Sequence, residues 1–305
     1  MGRCDEAYHN TDAEYREICD FLDALQSQDP FAHWESGRMG FWRHSLHADK
    51  DPQDRFFREN ARVWRVDGIG VVGLCISEYG ENDLFVEILP AHRAILPDVF
   101  RWIEESWAAA RGAVEIDVFA DDAEKIRLLT DRDYAFMHHF ENKRTYDLER
   151  VDLGYALDPG FTVRSFSETF DFEGRVALVR SAFDNPNHSE ERLRGLLASP
   201  EHVDAWDLMV VSPGGTPVSY CVGWWERGRD DAGFIEPVGT HAAYRRRGFA
   251  RAVLRECFAR MRADGIRTVE IASRAEPAVA NFLYDSLSPA TRREVHKYGK
   301  SIPAA

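Results

Sequence analysis

Between Phe234 and Gly265 the chain reads FIEPVGTHAAYRRRGFARAVLRECFARMRADG. Arg245, Arg246 and Arg247 run into Gly248, and an apolar stripe of helical period follows at Ala250, Val253, Leu254, Cys257, Phe258 and Met261. A basic, glycine-bearing loop between an apolar strand and a helix start offers unsatisfied amides and the positive end of a helix dipole. That combination binds phosphate. Cations disfavour a helix N-terminus, so the arginine run destabilises this helix unless an anion balances it. Glu236 is the second feature. A carboxylate in the otherwise apolar strand 233–238 is costly to bury unless it is paired or used. Burial would raise its pKa toward neutrality, where it could act as a general base. An outward-pointing or salt-bridged carboxylate is the competing reading, and Glu87 in a similar setting favours it.

The elements that must position these groups fill a chain of 305 residues, long enough for two domains. Hydrophobic residues make up 44%, enough for real cores, and the net charge of −14 argues against a nucleic-acid protein. Cys4, Cys19, Cys75, Cys221 and Cys257 are scattered, with no C-x-x-C pair. Neither a zinc site nor a disulfide framework is indicated. His33, His44 and His47 lie close in sequence but lack the spacing of a metal ligand set. The N-terminus is polar and acidic, without the apolar run of a signal peptide. No apolar run is long enough to span a membrane, so a cytoplasmic protein is expected. Gly68-x-Gly70-x-x-Gly73 copies a dinucleotide fingerprint but lies in a β-hairpin pattern, where the required helix is missing.

Taken in order, residues 12–25 predict a helix that Asp12 could cap, and 61–79 a hairpin turning at Asp67-Gly68. Strand, helix, strand, helix and strand follow up to Leu148. Residues 152–160, with Pro159 and two glycines, predict a linker. The second half repeats the order. Ile235-Glu236-Pro237 aligns with Val86-Glu87-Ile88, and His241 with His92, so a domain-sized internal repeat is the economical reading. The first copy, Leu89 to Pro97, has no glycine to open the loop and should hold a phosphate poorly. The predicted division is 1–152 and 153–305.

Arg245-x-x-Gly248-x-Ala250 after a strand resembles the acyl-CoA pyrophosphate loop of the GCN5-related N-acetyltransferases (GNAT superfamily), in particular proteins carrying two such domains in tandem. The resemblance implies an α/β (α+β) fold of two GNAT-like domains, each a mixed, mostly antiparallel twisted sheet flanked by helices. The first would be a degenerate copy and the second would bind acetyl-CoA. It implies a diphosphate held by the amides of Arg246 to Arg251, thus including Arg247, Gly248, Phe249 and Ala250, with the side chains of Arg245, Arg246 and Arg247 adding charge-assisted contacts. Val238, Gly239 and Thr240 would run beside the pantetheine arm as a pseudo-strand. The pairing falls to main-chain groups of Val238 and Thr240, with the Val238 amide also serving the oxyanion. Ala280-x-x-Leu283-Tyr284 resembles the family's helix whose tyrosine approaches the CoA sulfur, which makes Tyr284 the general acid. Ser288-Pro289 replaces the family's trailing Gly-Phe, and Pro277 its usual Asn. Glu236 is the first candidate base and Glu270, on the neighbouring strand, the second. The expected reaction is acetyl transfer to a primary amine of a small molecule or peptide by direct attack, without a metal and with homodimerisation allowed. The acceptor is expected near Trp224, Trp225, Trp34 and Trp42, although strand alternation turns one of the first pair inward. A non-catalytic acyl-CoA sensor or assembly module is the alternative.

Overall fold

The computed structural model describes residues 3–277 and 279–302. The chain divides into two compact units, and neither is one continuous stretch. The first takes the residues up to Met39, then Lys50–Glu141, then those from Arg293 on; the second takes Gly40–Asp49 and Asn142–Arg292. The division therefore falls at 141/142 rather than 152/153. Residues 152–158 are irregular, as their composition dictates. They lie inside the second unit because the strand before them already belongs to it.

The first unit contains β1 (Arg3–Ala7), α1 (Asp12–Gln26), most of α2 (Ser36–Gly40), α3 (Arg55–Asn60), β2 (Ala61–Val66), β3 (Gly70–Ile76), β4 (Asp83–Ile88), α4 (Leu96–Trp102), β5 (Ala113–Phe119) and α5 (Ala123–Thr130). Thr11, not Asp12, caps α1, because Thr11 and Glu14 form a reciprocal capping box. β6 (Ala135–Asp147) runs through the division into the second unit. There follow β7 (Thr162–Ser165), α6 (Phe172–Phe183), α7 (Glu190–Ala198), β8 (His202–Val211), β9 (Pro217–Trp225), β10 (Ala232–Thr240), α8 (Phe249–Ala263), β11 (Thr268–Arg274) and α9 (Val279–Asp285). β12 (Thr291–Ser301) then leaves for the first unit.

The strand order is β1-β2-β3-β4-β5-β12 in the first unit and β7-β8-β9-β10-β11-β6 in the second. In both, antiparallel pairs lead to a single parallel pair, β4 with β5 and β10 with β11. The repeat read from the sequence is therefore a repeat of topology. In each unit the last strand in the order is supplied by the other half of the chain.

In the second unit the α8 stripe does what its period demands. Val253, Leu254, Cys257, Phe258 and Met261 are buried with Val218, Cys221, Ile235, Val269 and Tyr284 in one core. Val176 and Val179 of α6 and Leu193 and Leu196 of α7 share a second core with Met209, Tyr220, Trp224 and Phe234. Trp34 and Trp42, expected near an acceptor, are fully buried and serve packing instead. Trp224 is buried and Trp225 is 42% exposed, the alternation expected of a strand.

Candidate active site

The site is built where two parallel strands part. β10 pairs with β11 only from Ala232↔Thr268 to Phe234↔Glu270, after which the strands separate. On its other edge β10 stays paired with β9, and the register steps from Ile235↔Gly223 to Val238↔Cys221. Glu236 and Pro237 thus oppose Val222 alone, which is a β-bulge. Trp224 Nε1 donates to the Glu236 carbonyl at 2.6 Å and pins the bulge. Past it, the His241 amide donates to the Val218 carbonyl at 2.9 Å. Antiparallel pairs alternate between hydrogen-bonded and non-hydrogen-bonded. Val238 and Thr240 are therefore the residues whose N–H and C=O turn away from β9, into the opening left by β11. Gly239 between them has no room for a side chain. A Cβ there would lie 2.6 Å from the Tyr220 ring and 2.9 Å from Ala182.

The arginine loop follows β10 in the chain and leads into α8. Gly248 is the residue before α8, with φ +82°, a conformation glycine adopts without strain. No side chain caps the helix. The amides of Gly248, Phe249, Ala250 and Arg251 donate to no described protein group. The three arginines make different contacts. Arg245 braces the loop, donating to the carbonyls of Thr240 (3.4 Å) and Ala182 (2.9 Å). Arg247 pairs with Asp158 at 2.9 Å and lies over the rings of Phe161, Phe249 and Tyr244. Arg246, at φ +66° and exposed, pairs with no described residue. Arg251 reaches Ser286 at 3.0 Å. Free first-turn amides and one unengaged guanidinium fit a diphosphate, and the carboxylate of Asp158 engages Arg247 without sealing those amides.

Of the two readings of Glu236, the outward-pointing carboxylate is the one found. Glu236 is exposed and sits at the bulge. Its counterpart Glu87 is buried in the first unit, where it accepts a hydrogen bond from the His33 amide at 3.1 Å. Burial above all, with Asp29 and Glu35 adding, pushes Glu87 up to about 7 against the pull of Lys125. A carboxyl whose folded-state pKa is raised stabilises the fold below its unfolded value and loses that contribution as pH rises through 7. Glu87→Gln is therefore expected to stabilise the chain by about 3 kcal/mol at pH 8 and by less than about 1 kcal/mol at pH 5. Urea unfolding at the two pH values checks this; an equal change at both would refute it.

Glu270, the second candidate base, is engaged at 2.6 Å by the buried Lys143 ammonium. Tyr284 is 6% exposed, and the Tyr146 hydroxyl donates to its carbonyl at 2.9 Å. Burial first, then the Glu236 carboxylate, raise the Tyr284 hydroxyl far above its ordinary value, with Arg144 acting in the opposite sense. Tyr284 and Glu236 thus stand within electrostatic reach of each other, and Tyr284 carries its proton at any physiological pH.

Sequence reasoning missed the polar network behind Tyr284. Arg144 is fully buried and contacts Asp285, Asn281 and Ser273. Asn281 Nδ2 donates to the carbonyls of Arg274 and Ala275, which ties the start of α9 to the end of β11. The nearest signal was local, Asn281 beside Ala280 in the stretch that precedes Tyr284. No periodicity marks an arginine whose partners lie more than a hundred residues away.

Residues 177–287 match the model of the acetyltransferase (GNAT) family. Among solved structures, the chain is similar over its whole length to a tandem GNAT protein from the clavulanic acid biosynthesis pathway, in its form without AcCoA. The TM-score is 0.72 at 14% identity, covering 100% of both chains. A GCN5-related N-acetyltransferase from Sphaerobacter thermophilus gives a TM-score of 0.63 at 20% identity, covering 99% of this chain and 97% of that one. A GNAT-family acetyltransferase from Colwellia psychrerythraea gives 0.65 at 12% identity, covering 98% and 100%. No curated protein matches the sequence. Residues 177–287 are thus similar to the acetyltransferase (GNAT) family, and the chain as a whole shares the fold of the tandem GNAT structure.

Proposed function

We propose that the second unit transfers an acetyl group from acetyl-CoA to a primary amine of a small molecule or peptide, by direct attack in a ternary complex, and that the first unit is a degenerate copy. One observation carries the reading. The first-turn amides of α8 are claimed by no described group, and α8 follows β10, the strand that parts from β11. Bound acetyl-CoA supplies an activated thioester carbonyl. The amides of Gly248 to Arg251 and the Arg246 side chain hold its diphosphate. Main-chain groups of Val238 and Thr240 hold the pantetheine arm as an added strand would be held. The Val238 amide faces the carbonyl oxygen as charge builds there. Glu236, at the bulge and in contact with water, accepts the proton of the attacking amine directly or through a water. Tyr284, kept protonated by burial, offers its proton to the departing sulfur.

Release of free CoA with a panel of aminoglycosides, polyamines, amino acids and peptides tests the reading; turnover with one amine class is the expected result. Glu236→Gln should lower kcat about tenfold, less than a buried base would show, since water replaces part of its role. The same exposure favours a second reading, a non-catalytic acyl-CoA sensor. Tight CoA binding with no amine accepted across the panel would select it.

A further inference from the structure

We propose that Arg144 is a positioning residue for Tyr284, setting where the hydroxyl stands by clamping α9 to the free end of β11. The inference rests on the reading of Tyr284 as the general acid. A guanidinium with no exposed surface is an expensive choice for stability alone, since apolar residues of similar volume often serve as well or better. What it uniquely brings is a rigid planar fork of donors, and here the fork is spread over separate elements. From β6, its Nε donates to Asp285 at 2.6 Å and its Nη2 to Asn281 at 2.7 Å, both on α9. Its Nη1 donates to Ser273 Oγ at 3.0 Å, on β11 beyond its last pairing with β10.

Asp285 follows Tyr284 directly and Asn281 lies one helical turn before it, so the tyrosine is bracketed by contacts to one planar group. The Ser273 hydroxyl donates to Asn281 at 2.9 Å and closes the link between strand and helix. The Arg144 guanidinium carbon stands 6.0 Å from the centre of the Tyr284 ring, at the outer reach of a cation–π contact. Rotation or sliding of α9 would have to break this fork before the hydroxyl could move.

The test is a mutant cycle on the full chain, with CoA release as one readout. Ser273→Ala removes only the tether to β11 and spares the buried charge; Arg144→Lys keeps the charge and loses the fork. Misplacement of a reacting group by an ångström lowers turnover about 10²-fold, so Arg144→Lys should approach that loss, and Ser273→Ala about tenfold, with KM for acetyl-CoA within about twofold of the parent. In a Tyr284→Phe background neither change should alter kcat by more than about twofold, because their effect passes through the missing hydroxyl. Fluorine NMR of fluorotyrosine substituted for Tyr284 gives a readout without turnover. One narrow line is expected in the parent chain, and a shifted or split line in both variants. Losses that multiply with Tyr284→Phe, or an unmoved fluorine line, would overturn the proposal. Unchanged turnover in Tyr284→Phe alone would instead remove the acid assignment, which separates the two failures.

Discussion

Gly248→Glu is expected to abolish acetyl-CoA binding, by more than about 10²-fold in Kd, while the chain stays folded. Two effects of different size decide this. A side chain at Gly248 meets nothing within 4 Å, so no clash arises, although φ +82° is strained for any residue but glycine. That strain is on the order of 1–2 kcal/mol, tolerable for a well-packed unit. The carboxylate is the larger effect. At the mouth of the first-turn amides it can accept their hydrogen bonds itself, and it sets a like charge against a diphosphate at close range, where about 1.4 kcal/mol already means tenfold in affinity. Gly248→Ala carries the backbone strain without the charge and should bind only a few-fold more weakly. Calorimetric titration with acetyl-CoA distinguishes the pair; a glutamate variant that binds as the parent does would show that these amides hold no anion.

Tyr284→Phe is expected to lower kcat about 10²-fold with KM for acetyl-CoA unchanged, the low end of what a positioned general acid contributes. The loss should be flat with pH across the neutral range. Burial and the Glu236 carboxylate raise the Tyr284 hydroxyl, so it stays protonated past tyrosine's ordinary range, and the parent enzyme should show no alkaline fall from this group below about pH 10. The ring packs in the core beside α8, and removing one oxygen leaves that packing in place. Rates that fall with KM rising in parallel would mark a binding role instead of an acid.

What could be read from the sequence was whatever is local. The glycine that opens the loop, the stripe that buries α8 and the strand before it are each fixed within a few residues, and the structure shows all of them. The direction of the Val238 and Thr240 amides was legible only as a resemblance; it follows physically from a register that no single strand specifies. For Glu236 the sequence left a buried base and an outward-pointing carboxylate both open, because the bulge where it sits is not announced locally. The protein contacts of Arg245 and Arg247 could not be read, because the Ala182 carbonyl and Asp158 lie 63 and 89 residues earlier in the chain. Arg144 was invisible for the same reason. Long-range polar contacts leave no period behind.

The exchange of end strands between the two units bears on how the protein is made. A nascent chain emerging from the ribosome can assemble β1 through β5, but β12, which pairs with β5, is synthesised only after β7 to β11. Until it arrives, β5 presents an open hydrogen-bonding edge, the kind of surface that recruits stray strands. The usual sequence in which the leading domain matures before the trailing one is thus denied to this chain. Its first half must wait, unfinished, until β12 has been made.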